Sequence, residues 1–111
     1  MIDKIIIKHL SKVLGIHVGG EVPAKPDQRF VVVRKRGGER TDHIYTSLVQ
    51  FDVYAERLSE ASALCKALVE AVDDLTCLDE ICNCEYGGEY NATDTASKRY
   101  RYQAMYNITH Y

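Results

Sequence analysis

Apolar residues Ile2, Ile5, Ile6, Leu10, Val13 and Leu14 recur at helical spacing, which predicts an amphipathic helix over 2–14. Asp3 in its first turn and Lys12 in its last both complement the helix dipole. Gly15 suits the left-handed residue that stops a helix. A short strand is possible at Ile16-His17-Val18, but Gly19-Gly20 follow. Pro23 and Pro26 bar a central strand, so 16–28 reads as a connecting arm.

The period then changes to two. Phe30-Val31-Val32-Val33 is a compact β-branched run within a strand at about 29–36. It leads into Arg34-Lys35-Arg36-Gly37-Gly38-Glu39-Arg40, read as a polar hairpin tip that turns on Gly37-Gly38. From 43 to 55, Ser47, Val49, Phe51, Val53 and Ala55 alternate with Leu48, Gln50, Asp52 and Tyr54. One face is therefore buried; the other is mixed and meets solvent or a partner.

Ala61, Leu64, Cys65, Leu68, Val69, Val72 and Leu75 form a wide stripe on a helix over 59–75, with Ser59 as N-cap and Glu60 in the first turn. Residues 78–86 read as a strand, and Gly87 to Ser97 as a polar loop. The last strand, 98–109, alternates Tyr100, Tyr102, Ala104, Tyr106 and Ile108 with Arg101, Gln103, Met105, Asn107 and Thr109. The expected fold is α+β. It has an antiparallel or mixed four-stranded sheet, a long helix on one face and an N-terminal helix, in the order α-β-β-α-β-β. Both polar segments, 36–43 and 86–97, are expected to be mobile in an isolated subunit.

A length of 111 residues suits one domain, 1–111. The 46% hydrophobic content permits a packed core. Fourteen basic against 16 acidic residues give a net charge of −2, which disfavours tight binding to nucleic-acid phosphates. Charges at Asp3, Lys4 and Lys8 interrupt the apolar N-terminus, unlike a signal peptide. No apolar run approaches the roughly 20 residues of a membrane span. A cytosolic protein with no membrane association is expected.

Candidate chemistry is sparse. Gly19-Gly20, Gly37-Gly38 and Gly87-Gly88 lack the Walker and dinucleotide-binding patterns and read as turns. His9, His17, His43 and His110 are scattered, and read as surface or half-buried imidazoles. Cys77, Cys82 and Cys84 lack paired zinc spacing, and Cys65 reads as a small core residue. Reduced cysteines, no metal, no cofactor and no enzymatic turnover are expected. Asp73, Asp74, Asp79 and Glu80 read as a solvated connection. The basic tip is a solvated hairpin end or a contact for a phosphate backbone or acidic partner. Tyr86, Tyr90 and Tyr111 are candidates for a protein interface, because tyrosine combines contact area with a polar end.

Most of the chain resembles the tail-terminator or tail-completion proteins of long non-contractile-tailed phages and prophages. The residues carrying the resemblance are Arg29-Phe30-Val31-Val32-Val33-Arg34, and Val49-Gln50-Phe51-Asp52-Val53-Tyr54-Ala55-Glu56 leading into Ser59-Glu60-Ala61. The closing strand Lys98-Arg99-Tyr100-Arg101-Tyr102-Gln103-Ala104-Met105-Tyr106-Asn107-Ile108-Thr109 completes it. The chain departs from such proteins in having no proline in 87–97.

The resemblance implies a ring, typically of six copies, which caps the tail tube and docks it to the head connector. Its partners would be itself, the tube protein and the head-completion protein. DNA would pass through the lumen without tight binding. The protein would reside in the host cytoplasm during assembly, then at the head-proximal end of the virion tail. Candidate inter-subunit or partner contacts are Arg34, Arg36, Gly37, Gly38, Arg40, Glu85, Tyr86, Glu89 and Tyr90, with the basic tip meeting Glu85 or Glu89 of a neighbour. A small ferredoxin-like ligand-binding or regulatory domain is the alternative.

Overall fold

A computed structural model describes residues 2–21, 29–41, 43–91 and 100–111. Helix α1 (Ile2–Leu14) buries Ile2, Ile6 and Leu10, one residue per turn. Its last turn departs from the predicted stripe: Val13 is 52% exposed. Gly15, at φ +66°, donates its N–H to the Ser11 carbonyl at 3.1 Å and closes the helix.

Strands β1 (His17–Gly19), β2 (Phe30–Thr41), β3 (Ile44–Ala55), β4 (Ile81–Asn91) and β5 (Tyr100–His110) form one sheet in the order β1-β2-β3-β5-β4. β1 is parallel to β2, and the other neighbours are antiparallel. The sheet is thus five-stranded and mixed, and the element order is α-β-β-β-α-β-β. This corrects the expected four strands in the order α-β-β-α-β-β. A three-residue strand carries too little periodicity to be recognised alone; its pairing of Val18 with Val31 makes it one. β3 and β4 run in the same direction, joined by a helix, with β5 between them. This is a split β-α-β arrangement.

That helix, α2 (Leu58–Asp73), buries Ala61, Leu64, Cys65, Leu68, Ala71 and Val72. Its N-cap is Arg57, which makes no side-chain capping bond; Ser59 lies inside the helix. A 3-10 turn, Asp74–Cys77, follows and buries Leu75. Both helices pack on one face of the sheet, against Val31, Val33, Val49, Phe51, Val53, Ala104, Tyr106 and Ile108. The Phe51 and Tyr106 rings meet edge-on at 5.9 Å.

Two of the glycine pairs, Gly37-Gly38 and Gly87-Gly88, do not make the predicted turns but lie within strands. Thr41 pairs with Ile44, and the chain reverses there with His43 at φ +69°. Gly37 instead follows a break in register after Lys35. A Cβ on Gly38 would lie 3.0 Å from the Thr46 carbonyl oxygen, so glycine lets β2 approach β3 closely. Strand β4 likewise continues through Gly87 and Gly88 to Asn91, with a register break between Tyr86 and Gly88. The expected loop from 87 is therefore a strand to 91; residues 92–97, like 98 and 99 of the expected last strand, lie outside the described residues. The strand expected from 78 starts at Ile81, because Leu78–Glu80 form a turn in which the Ile81 N–H donates to the Leu78 carbonyl.

Candidate functional site

Alternation along β2 divides the basic tip between the two faces. Arg34 lies on the face without helices, where its Nε donates to Asp52 Oδ2 at 3.1 Å. Asp52 is 1% exposed and also accepts from Gln50 Nε2 at 2.8 Å. A buried carboxylate requires such partners. Arg34 is therefore a structural counter-ion rather than a free contact.

Lys35 and Arg40 lie on the helix-bearing side. Arg40 sits over the Tyr45 ring at 5.7 Å and its Nη2 is 2.9 Å from His43 Nδ1. Lys35, Arg36, Gly37, Gly38, Glu39, Arg40, Tyr45 and Ser47 surround one open depression of about 450 Å³. Four of the predicted contact residues, Arg36, Gly37, Gly38 and Arg40, are thus brought together.

Beneath the depression is a polar pair that sequence reasoning missed. Ser47 Oγ and His110 Nε2 are 2.8 Å apart and buried. His110 Nδ1 faces the Tyr111 carbonyl oxygen at 3.3 Å, and its ring stacks on Tyr45 at 5.4 Å. A carbonyl only accepts, so the neutral ring carries its proton on Nδ1 and Nε2 accepts from the serine hydroxyl. Burial pulls the His110 pKa below its ordinary 6.5, opposed by the bond to Tyr111 and reinforced by Lys35 and the amino terminus. A signal for the pair existed: Ser47 shares the phase of Val49 and Phe51, and His110 that of Tyr106 and Ile108. On the far side of His110 a second hollow, of about 420 Å³, is lined by Ile2, Asp3, Ile5, Lys35, Tyr45, Glu80, His110 and Tyr111.

The β4 residues separate in the same way. Tyr86 and Glu89 lie on the helix-bearing face; Glu85 and Tyr90 lie on the other. Glu89 is engaged within the chain, accepting from Tyr86 Oη at 3.0 Å and from Cys65 Sγ at 3.5 Å. Burial, with the Glu89 charge and that bond, pushes the Cys65 thiol up to about 12. Burial and Asp73 push Cys84 up to about 11. Neither is a nucleophilic thiolate near neutral pH. Tyr106 Oη donates to Asp73 Oδ1 at 3.4 Å, and burial followed by that carboxylate raises its pKa. Cys82 sits at a register break between Ile81 and Asn83 and is exposed.

No group of three or more His, Cys, Asp or Glu residues suited to a metal occurs among the described residues. No helix among them is long and apolar enough to cross a membrane. Compared with known proteins, the chain matches no family model and no curated protein.

Proposed function

We propose that this chain is a phage or prophage tail-completion subunit. Six copies close into a ring that caps the tail tube and joins it to the head connector. The ring has no turnover and no cofactor, and DNA passes through its lumen without tight binding. It assembles in the host cytoplasm and remains at the head-proximal end of the virion tail.

One observation carries the reading: the sheet ends in two long, unlike edges. Among the described residues nothing pairs with the outer side of β4, and β1 covers only Phe30–Val32 of the twelve-residue β2. Cyclic closure needs two different, complementary patches per subunit. β2 and β4 run antiparallel within the sheet, so β4 of one copy can extend the sheet antiparallel to β2 of the next. Arg36 on β2 and Glu85 on β4 have no ion pair among the described residues. They would meet across that edge, contributing only about 0–1 kcal/mol. Main-chain bonds and the exposed Tyr86 and Tyr90 would supply the rest. The register breaks in both strands confine pairing to short segments, as edge strands that must avoid indiscriminate association require.

The test is to mix the protein with cognate tube subunits and image the product. Tubes that gain a terminal ring and stop growing are expected. Tubes that grow on, with no ring, overturn the proposal. The second hollow beside His110 supports the alternative of a ligand-binding domain, since it combines aliphatic and aromatic walls with convergent polar groups. A strictly monomeric protein, measured by mass in solution with and without tubes, would favour it.

A further inference from the structure

We infer that the depression beside Gly37 and Gly38 is a binding site for a tetrahedral oxyanion, in practice a phosphate group, above the buried Ser47 hydroxyl. Three cations, Lys35, Arg36 and Arg40, line it against one carboxylate, Glu39. Gly37, with nothing within 4 Å of the position a Cβ would take, leaves the depression open. From the position a Cβ on Gly38 would occupy, the Thr46 carbonyl oxygen is 3.0 Å away, and Lys35 Cε and Ser47 Oγ are each 3.5 Å away. The lysine stem and the hydroxyl thus converge on one point. Arg36 is shared with the proposed contact to Glu85 of a neighbouring copy, so the site is one of the isolated chain.

Its signature is a coupled proton. With His110 neutral, the Ser47 proton is directed inward to Nε2 across 2.8 Å. Protonating Nε2 reverses that bond: the ring donates to Oγ, and the hydroxyl proton turns toward the depression. Binding therefore takes up one proton, and affinity rises as pH falls. The groups around His110 are Lys35 and Tyr45 from the sheet, Asp3 from α1, Glu80 from the turn before β4, Tyr111 beside it, and the amino terminus. Lys35 and the amino terminus oppose the imidazolium; the bond to Tyr111 favours it.

Sulfate is the probe of choice, because it remains a dianion over the relevant pH range whereas phosphate titrates there. Calorimetric titration of the full chain at constant ionic strength is expected to give saturable binding, tighter at pH 5.5 than at pH 7.5 by at most tenfold per pH unit. Arg36→Glu with Arg40→Glu should abolish the heat while circular dichroism stays unchanged, as both side chains are exposed. His110→Gln should remove the pH dependence. Ser47→Ala should weaken binding about tenfold at pH 5.5, the scale of one hydrogen bond to a charged group. No sulfate binding, or equal binding by the double arginine variant, overturns the site. Binding independent of pH overturns the role of Ser47 and His110. A short DNA duplex that competes with sulfate assigns the phosphate to a nucleic-acid backbone; inorganic phosphate competing where the duplex does not assigns it to a free or monoester phosphate.

Discussion

The two faces of the central sheet solve different problems with the same strands. Toward the helices, β3 presents Ser47, Val49, Phe51, Val53 and Ala55, all buried. On the opposite face the same strand presents Leu48, Gln50, Asp52 and Tyr54, of which only Asp52 is buried. The first face is held by non-directional apolar burial, where each fully covered large side chain contributes about 1.5–3 kcal/mol. The second buries Phe30 and Val32 and adds directional contacts: Arg34 and Gln50 on Asp52, Arg101 over the Tyr54 ring at 5.9 Å, and Phe30 stacked on Tyr54 at 4.6 Å. Alternation therefore gives one strand a core-forming side and a side free to carry specific chemistry.

The sharpest way to break the contrast is Leu68→Asp on α2. Leu68 is fully buried. Losing its packing costs about 2–5 kcal/mol and stranding a charge adds more, so urea denaturation should show a chain that is largely unfolded. Next in size is Arg34→Ala, which leaves the Asp52 carboxylate with Gln50 alone. A loss of about 2 kcal/mol is expected, the scale of a hydrogen bond to a charged group, and Arg34→Lys should recover part of it. A urea midpoint unchanged in Arg34→Ala would show that Asp52 does not rely on this ion pair.

A smaller effect belongs to His110. Its folded pKa lies below 6.5, so the folded state binds its proton less readily than the unfolded state does. Stability is therefore unaffected well above pH 6.5 and falls as pH drops through 6.5. Denaturation midpoints from pH 7.5 to 5 should decline more steeply in the native chain than in His110→Gln. The smallest effect is expected for Leu48→Thr, at a side chain 37% exposed on the face without helices, within about 0.5 kcal/mol. A larger loss would mean that this face is covered as firmly as the other. The thiols offer an independent check of burial: alkylation of the native protein should reach exposed Cys77 and Cys82 first, Cys84 slowly, and Cys65 only on unfolding.

The long elements were legible because each repeats its period several times. The stripe from Ala61 to Leu75 and the alternations in β3 and β5 offer four or more in-phase positions each, enough to place the helix face and the buried sheet face. β1 has three residues and no such redundancy. Gly37-Gly38 and Gly87-Gly88 misled because glycine serves two purposes. It permits turns, and it permits close strand approach; here the Thr46 and Met105 carbonyls stand 3.0 Å from the missing Cβ atoms of Gly38 and Gly87. Of the predicted contact residues, Arg36, Gly37, Gly38 and Arg40 converge, while Arg34 and Glu89 are occupied within the chain.

What the sequence determined by itself is the set of local preferences: helix 2–14 with its glycine stop, the second helix with its stripe, and which side of β3 and β5 faces inward. These follow from spacing along the chain, which folding cannot alter. Tertiary structure decided the strand order, the parallel pairing of β1, the split of the basic tip between faces, and the meeting of Ser47 with His110. The last two are separated by 63 residues. No local pattern encodes such a contact; it exists only because β3 and β5 pair in one register, and a one-residue slip of either strand would turn its side chain away from the other to the opposite face.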